Sequence, residues 1–436
     1  MRRIFWLFGV LVTALALVAG GCGGDDGGDG GGGGGEGEAF EGPVTILSLW
    51  GGSEREAFQK VLDGFTQATG IETKYETARD FEVVIRTRLA AGNPPMAAII
   101  PRPGPVRDWA LDDSVISFED LGVDTALMEE NYAQGWIDLG TVEDQVYGIP
   151  VKANSKTTLW YDPERLGEAP PEDWDGLVQL TERLQGEGTT PWAVGAKDSW
   201  TLTDWFEVLY VKQFGSEMYN QLFSGELEFT DQSVVDALNE MLKVVNDDNL
   251  VGGVEGALGT KFVSDIGQVF GENAKADLYY EGGFVGGIAT DQVNTDLQPG
   301  TDIDFFPFPT INEEHGQPLL GAGDVAVAFE NNEDVKALME FLASSEGGTT
   351  WVSTGAIVSP NRAVELEAYP NDLVRKEAEQ VRDAETFAFD GSDLLPGALG
   401  TEWPTVLQGI IRNPDGMDGA LSDFQDQAES EFANAQ

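Results

Sequence analysis

Segments with two different hydrophobic periods alternate between residues 44 and 101, and this order constrains the fold more than any other feature of the chain. Apolar runs at 44–50 and 97–100 and an alternating run at 71–76 are typical of strands. Between them, apolar residues recur at helical spacing from 53 to 70 and from 80 to 91. This order is that of a parallel sheet covered by helices on both faces. We therefore predict an α/β fold.

Polar and aromatic residues follow each predicted strand of this region. Ser53 and Glu56 have the spacing of a capping box, so we expect them to begin the first helix. In parallel sheets, ligands bind at the carboxyl ends of the strands. The candidate ligand-binding residues at these ends are Trp50 with Ser53, Arg79 with Asp80, and Arg102.

The length of the chain indicates two domains. About 390 of its 436 residues follow Pro43, which is more than one small core organises. Predicted helices dominate from residue 173 to about 300, and strands near 305 and 325 then precede another helix. We predict that the chain enters a second domain and returns to the first.

The first 42 residues differ in composition from the rest. Two arginines, an apolar run from Ile4 to Ala19 and small residues before Cys22 have the layout of a secretory signal. A cysteine at this place is similar to a bacterial lipoprotein signal, so we predict removal of residues 1–21 and acylation of Cys22. Residues 22–42 would then be the lipidated cysteine and a Gly/Asp-rich tether, because glycine and repelling carboxylates build no core. Ordinary secretion with a free thiol is the alternative.

The net charge and the scarcity of histidine and cysteine argue against nucleic acid as a partner and against common metal sites. The chain has 25 Lys and Arg against 76 Asp and Glu, a formal net charge of −51. This argues against nucleic acid, because no basic surface exists to release counterions. With one histidine and one cysteine, the common zinc sites are excluded. We predict no metal and no cofactor.

The sequence lacks the common catalytic motifs. No G-x-S-x-G elbow or Walker A loop occurs, and the one histidine, His315, lies in a turn-rich segment. A membrane-anchored glycoside hydrolase would need two carboxylates about 5 to 10 Å apart, and among 76 acids some pair will always qualify. We predict that the protein is not an enzyme, with the hydrolase as the alternative.

Tryptophans in polar, glycine-containing segments point to a ligand. Trp50 lies in SLWGGSE, Trp200 and Trp205 lie in KDSWTLTDWFE, and Glu281 precedes two glycines in YYEGGFVGG. Sugars stack on aromatic rings while their hydroxyls exchange hydrogen bonds with polar side chains. The combination favours a sugar, although each tryptophan also suits a packed core and the glycines suit a plain turn.

Four stretches of the mature chain carry a family resemblance: LWGGSEREAFQKVLDGFTQATGI, YGIPVKANSKTTLWYDPERL, YYEGGFVGG and TGAIVSPN. Their order resembles the extracellular solute-binding proteins of bacterial carbohydrate ABC transporters, of the family 1 type. ARDFEVVIRTRLAAGNPPMAAIIPRPG and SWTLTDWFEVLY make the chain most similar to the α-glucoside-binding group. The resemblance implies a two-lobed, periplasmic-binding-protein-like fold of type II. Its lobes are joined by crossing strands and close over a ligand by hinge bending.

The resemblance also implies which residues face the ligand and where the lobes divide. Lobe 1 would comprise 43–151 with 304–345, and lobe 2 would comprise 152–303 with 346–436. The strand end that commonly reads Pro-Asp in the family reads PPMAAII here, with Met96 and Ala97 in place of that pair. The implied ligand-binding residues are Trp50, Ser53, Arg79, Asp80, Arg102, Lys152, Asn154, Trp200, Asp204, Trp205, Glu281, Gly283, Phe284 and Asp324.

The function implied is that of an extracytoplasmic, monomeric binding protein held at the cell membrane by a lipid on Cys22. It would capture an α-glucoside or a related oligosaccharide and deliver it to ABC permease subunits, which work with a separate ATPase. Another oligosaccharide or a polyol bound by the same fold is the alternative.

Overall fold

A computed structural model describes residues 42–101, 103–384 and 386–434, apart from the side chain of Ser53. Cys22 and Arg102 lie outside the described residues. Among the described residues, no helix has both the length and the apolar character needed to cross a membrane.

The strands of the described residues form a large sheet, a smaller sheet and a short hairpin. They are β1 (Val44–Ser48), β2 (Thr73–Thr77), β3 (Ala97–Ile100), β4 (Thr141–Val142), β5 (Gln145–Val146), β6 (Gly148–Ser155), β7 (Thr158–Tyr161), β8 (Thr190–Ala193), β9 (Ala276–Tyr280), β10 (Asp304–Pro307), β11 (Leu319–Ala328) and β12 (Phe387–Phe389).

The α-helices of the described residues cover both sheets. They are α1 (Gly52–Thr69), α2 (Phe81–Ala90), α3 (Pro105–Leu111), α4 (Phe118–Leu121), α5 (Ala126–Asn131), α6 (Gln134–Asp138), α7 (Pro163–Leu166), α8 (Trp174–Glu187), α9 (Trp200–Phe223), α10 (Gln232–Val244), α11 (Gly253–Gly259), α12 (Phe262–Phe270), α13 (Phe284–Ile288), α14 (Glu333–Ala343), α15 (Ser345–Val352), α16 (Asp372–Asp383), α17 (Leu399–Arg412) and α18 (Met417–Asn434).

The larger sheet belongs to the first lobe and has the strand order β12-β11-β3-β1-β2, with β6 paired to β11. β1 is parallel to both β2 and β3, which confirms the predicted parallel arrangement of this region. Such strands need a crossover connection, and the amphipathic helices α1 and α2 supply it. The carboxyl ends of β1, β2 and β3 therefore lie along one edge of the sheet.

Helix α1 buries the predicted apolar face but begins differently from the prediction. Phe58, Val61 and Leu62 have no exposed surface. The N-cap is Gly51, without a side-chain hydrogen bond, so the predicted capping box is wrong. Because the helix begins at Gly52, Ser53 lies inside its first turn.

The smaller sheet belongs to the second lobe and has the order β10-β7-β9-β8. Its core includes Trp192, Trp205 and Phe308, all without exposed surface. Helices α17 and α18 join this core through Leu407 and Phe424, among others.

Three segments within the described residues connect the sheets. The first crossing runs from Ser155 to Thr158, the second covers 308–318, and the third follows β12 from Asp390 onward. Backbone bonds tie them together: the amide of Lys156 donates to the carbonyl of Leu320 at 2.8 Å, and that of Asp390 donates to the carbonyl of Gly321 at 2.8 Å.

These pairings move the predicted lobe boundaries. β6 extends the larger sheet to Ser155 instead of 151, and β10 belongs to the smaller sheet instead of lobe 1. Trp351, Val364 and Val381 pack in the first lobe's core, so residues between 346 and 384 pack mainly with lobe 1, although Leu373 packs against the smaller sheet. An amphipathic pattern shows that a helix covers a core, but it does not say which of two cores.

Candidate ligand-binding site

Lys156 lies at the junction of the first crossing, the third crossing and helix α9. Its ammonium donates a hydrogen bond to Asp204 Oδ1 at 2.9 Å and another to Asp390 Oδ2. The hydroxyl of Tyr280, at the end of β9, donates to the carbonyl oxygen of Lys156 at 2.7 Å. This lysine therefore joins both lobes through one buried charged group.

Burial and the neighbouring charges act in opposite directions on this ion-paired group. Burial lowers the pKa of Lys156, but the carboxylates of Asp204 and Asp390 outweigh it and raise the pKa well above its ordinary value. Burial also raises the pKa of Asp390, yet Lys156 and a hydrogen bond from Ser392 bring it below its usual range. Asp390 thus remains ionised and paired.

Asp204 has a different second neighbour, which explains its different titration. Burial raises the pKa of Asp204 to about 6, against the opposing effect of Lys156. Its Oδ2 and both carboxyl oxygens of Glu281 are buried without a hydrogen-bond partner. Burial, followed by the charge of Asp204, raises the pKa of Glu281 well above its ordinary value, which favours the protonated form of this carboxyl group.

Glu207 anchors the third crossing one turn further along α9. Its carboxylate accepts hydrogen bonds from the Tyr219 hydroxyl, the amide of Gly391 at 2.8 Å and the amide of Ser392 at 3.2 Å. Trp200, Asp204 and Glu207 share one helix face because they are four and three residues apart. This face of α9 points to the junction.

An aromatic group borders the lysine on the second lobe. Trp200 lies 5.0 Å from Phe262 and 6.2 Å from Phe284 between ring centroids. The Nζ of Lys156 lies 5.7 Å from the Trp200 ring centroid. Trp200 is 36% exposed, so about a third of the residue is accessible to a ligand. The structure thus brings the predicted residues Trp200, Asp204, Glu281 and Phe284 together.

A second lysine group lies on the first lobe. Lys152 Nζ donates to Glu54 Oε1 at 3.1 Å, lies 3.7 Å from Asp324 Oδ2 and is 5.4 Å from the Trp50 ring centroid. The β6–β11 register shifts beside Asp324, and such a bulge redirects side chains locally. Burial raises the pKa of Asp324 to about 6 even though Lys152 opposes the shift.

Trp50 belongs to the core as much as to this group. Its ring lies 5.2 Å from Phe58 and 5.1 Å from Trp351, and only 3% of the residue is exposed. The backbone oxygen of Trp50 accepts a hydrogen bond from the Tyr75 hydroxyl at 3.0 Å, which ties the end of β1 to β2.

The remaining predicted residues lie at several positions in the fold. Arg79 and Asp80 are exposed between β2 and α2. Asn154 is half-buried between Lys152 and Lys156, on the strand face that alternate residues share. Gly283 instead meets the first crossing, where its amide donates to the Ser155 carbonyl at 2.9 Å.

The prediction that Trp205 faces a sugar is wrong. The residue has no exposed surface, and its ring contacts Trp192 at 5.3 Å and Tyr280 at 4.7 Å. On a helix, neighbouring residues point about 100° apart, so Trp205 enters the core when Asp204 points to the junction.

Lys156, Glu207 and Asp390 were not predicted from the sequence. Alternation along VKANSK would have placed Lys156 on the face of Lys152 and Asn154. Asp390 directly follows a short strand. Arg79 and Arg102 were chosen as candidate binding residues because they follow predicted strands in the same way. Glu207 had no such signal, because acidic residues are abundant throughout the chain.

Comparison with known proteins identifies the family. The model of the family described as bacterial extracellular solute-binding protein matches residues 51–349. The osmoprotective compounds-binding protein GgtB of Synechocystis sp. is 33% identical over 384 residues, covering 86% of this chain and 89% of the relative. The alpha-glucosides-binding periplasmic protein AglE of Rhizobium meliloti is 31% identical over 374 residues, covering 82% and 80%.

Solved structures agree on the fold. The bacterial solute receptor AcbH, described as having an exclusive preference for β-D-galactopyranose, superposes with a TM-score of 0.77 at 19% identity, covering 90% of this chain and 100% of the receptor. RafE from Streptococcus pneumoniae, without ligand, gives a TM-score of 0.73 at 17% identity, covering 89% and 100%. The chain therefore belongs to the bacterial extracellular solute-binding proteins of carbohydrate ABC importers, and it is related to their α-glucoside-binding group.

Proposed function

We propose that this protein captures an α-linked glucoside between its two lobes and delivers it to the permease of an ABC importer, which works with a separate ATPase. The exposed face of Trp200 beside the paired groups of Lys156, Asp204 and Asp390 carries this proposal. An aromatic face next to hydrogen-bonding groups suits a sugar ring and its hydroxyls. The name of the relative AglE supports the α-glucoside class.

Another oligosaccharide or a polyol is the second candidate. It is supported by the relative GgtB, which is named for osmoprotective compounds and has the higher identity of the two relatives. The buried carboxyl groups accept hydrogen bonds from any polyhydroxylated solute, so they favour neither candidate over the other.

A thermal-shift panel separates these candidates. Maltose, sucrose, trehalose, xylose oligomers, a polyol and an amino acid are tested on the full chain in detergent. A ligand at a thousand times its Kd stabilises the folded state by about 4 kcal/mol. A shift confined to α-glucosides supports the proposal, and a shift confined to other solutes contradicts the α-glucoside assignment. A chromogenic glucoside in the same preparations should stay intact, and its hydrolysis would support an anchored hydrolase instead.

Attachment to the membrane through Cys22 is also proposed, on the sequence of residues 1–42. Mass spectrometry of the N-terminal peptide should find acyl chains on Cys22, and Cys22→Ser should release the protein from membranes. A free thiol on a secreted protein would contradict the anchor. Light scattering of the Cys22→Ser protein checks the expected monomer.

A further inference from the structure

Helix α16 also contacts the first crossing. Glu377 Oε1 accepts a hydrogen bond from the backbone amide of Ser155 at 3.0 Å. Gln380 Oε1 accepts from the Ser155 hydroxyl at 2.7 Å, and Gln380 Nε2 donates to the carbonyl oxygen of Thr157 at 3.1 Å and to its hydroxyl at 2.8 Å. The two residues that flank Lys156 are therefore both bound by one helix.

The helix itself is attached to both lobes. Ala378 and Val381 pack in the first lobe's core, whereas Leu373 packs in the cluster under the smaller sheet with Trp160. Lys376 Nζ donates to Asp304 Oδ1 at 2.8 Å, at the start of β10. The helix thus spans the junction instead of moving with one lobe alone.

The packing around Glu377 leaves no room for another side chain. Glu377 is 6% exposed, and a Cβ added at Gly283 would lie 1.9 Å from its carboxyl carbon. Gly283 also donates its amide to Ser155. Ser155 is therefore held between α16 and the start of α13.

This arrangement determines which way Lys156 points. The chain bends at Lys156, between the end of β6 and the start of β7. The side chains of Ser155 and Thr157 are bound by α16, whereas that of Lys156 is bound to Asp204 and Asp390. We infer that Glu377 and Gln380 are positioning residues of the binding site, which hold Lys156 between these two carboxylates. The consequence for ligand binding rests on the proposed function.

Amine labelling tests this inference without any ligand. The full chain in detergent is treated with sulfo-NHS-acetate, and the acetylation rate of each lysine is measured by peptide mass spectrometry. In Glu377→Ala and Gln380→Ala, we expect Lys156 to react at least about tenfold faster, because lost hydrogen bonds of this kind release the segment. Glu377→Gln keeps an acceptor for the Ser155 amide and should stay near the wild-type rate.

Matched controls separate positioning from general destabilisation. Glu379→Ala removes an exposed carboxylate of the same helix and should change no rate. Lys212 is buried in the second lobe at 2% exposure and serves as an internal reference for global opening. Parallel increases at Lys156 and Lys212, or no increase at Lys156, would overturn the inference. If Glu377→Ala does not fold, Gln380→Ala decides alone.

Titration with maltose then distinguishes this inference from the proposed function. If wild type binds maltose, affinity should fall in Glu377→Ala and recover in Glu377→Gln, and equal affinity in all three overturns the role in binding. If wild type does not bind maltose, that α-glucoside is excluded, while the labelling rates still decide whether the helix positions Lys156.

Discussion

The groups around Lys152 and Lys156 have similar composition but differ in the solvent exposure of their carboxylates. Lys152 lies on β6 and Lys156 at the bend that follows this strand, and each lies close to carboxylates and a tryptophan. In the Lys152 group the side chains of Glu54 and Asp324 are 49% and 11% exposed, whereas in the Lys156 group those of Asp204 and Asp390 are 1% and 3% exposed.

This difference shows why residue types alone do not define a binding group. Water screens the charges of an exposed ion pair, so the pair contributes little to the free energy of unfolding. Buried charges interact strongly and are costly when one partner is lost. We therefore expect the Lys156 group to control both stability and affinity, and the Lys152 group to modulate them.

Removing the buried lysine should have the largest effect. Lys156→Met leaves Asp204 and Asp390 without their counter-charge, so the free energy of unfolding should fall by about 3–5 kcal/mol. Urea unfolding measures this value, with Lys74→Met as a control on an exposed lysine. A loss below about 1 kcal/mol would mean that the two groups do not differ as proposed.

The pH dependence of the free energy of unfolding tests whether Asp324, in the Lys152 group, is buried. Because burial raises its pKa from 3.8 to about 6, its contribution to stability is complete below pH 4 and is lost as the pH rises through 6. Asp324→Asn lacks this loss, so its stability relative to wild type should rise between pH 4 and 6, by at most about 3 kcal/mol. Urea unfolding at four pH values would give parallel curves if Asp324 were solvated.

Asp204→Asn tests the ligand-binding role of the buried group. The amide retains the size of the side chain but removes a charged acceptor, so affinity for the identified sugar should fall about tenfold to a hundredfold. Calorimetric titration measures the change, and Glu226→Gln, at an exposed residue of the same lobe, is the control. Unchanged affinity would remove Asp204 from the site.

Two neighbouring tryptophans separate binding from packing. Trp200→Ala should weaken sugar affinity about threefold to tenfold, because an aromatic contact contributes about 0.5–1.5 kcal/mol. Trp205→Phe should lower stability and leave affinity close to wild type, since the ring is fully buried. The reverse pattern in calorimetry and thermal unfolding would contradict the assignment of Trp200.

Lys152→Met should have the smallest effect. Its hydrogen-bond partner Glu54 is half exposed, and the buried Asp324 lies at 3.7 Å, so the loss of unfolding free energy should be about 1–2 kcal/mol, smaller than for Lys156→Met. A loss as large as that of Lys156→Met would show that both groups are equally removed from water.

Local patterns predicted the first lobe well and the junction poorly. The alternating periods between residues 44 and 101 predicted β1, α1, β2, α2 and β3, because apolar spacing reports secondary structure directly. The same periods could not assign α15 and α16 to a lobe. Trp200, Asp204 and Trp205 were selected together from one stretch, and only the orientation of α9 separates the core residue from the other two.

The sequence by itself determined the α/β class, the parallel order of the first strands, the family and some of the polar residues near the junction, such as Asp204 and Glu281. These follow from spacing and residue type, which are properties of short stretches. Only the tertiary structure decided which acids are paired: Lys156, Asp204 and Asp390 come from positions up to 234 residues apart. Their energies depend on burial and distance, which exist only after the two lobes and α16 have packed around the crossings.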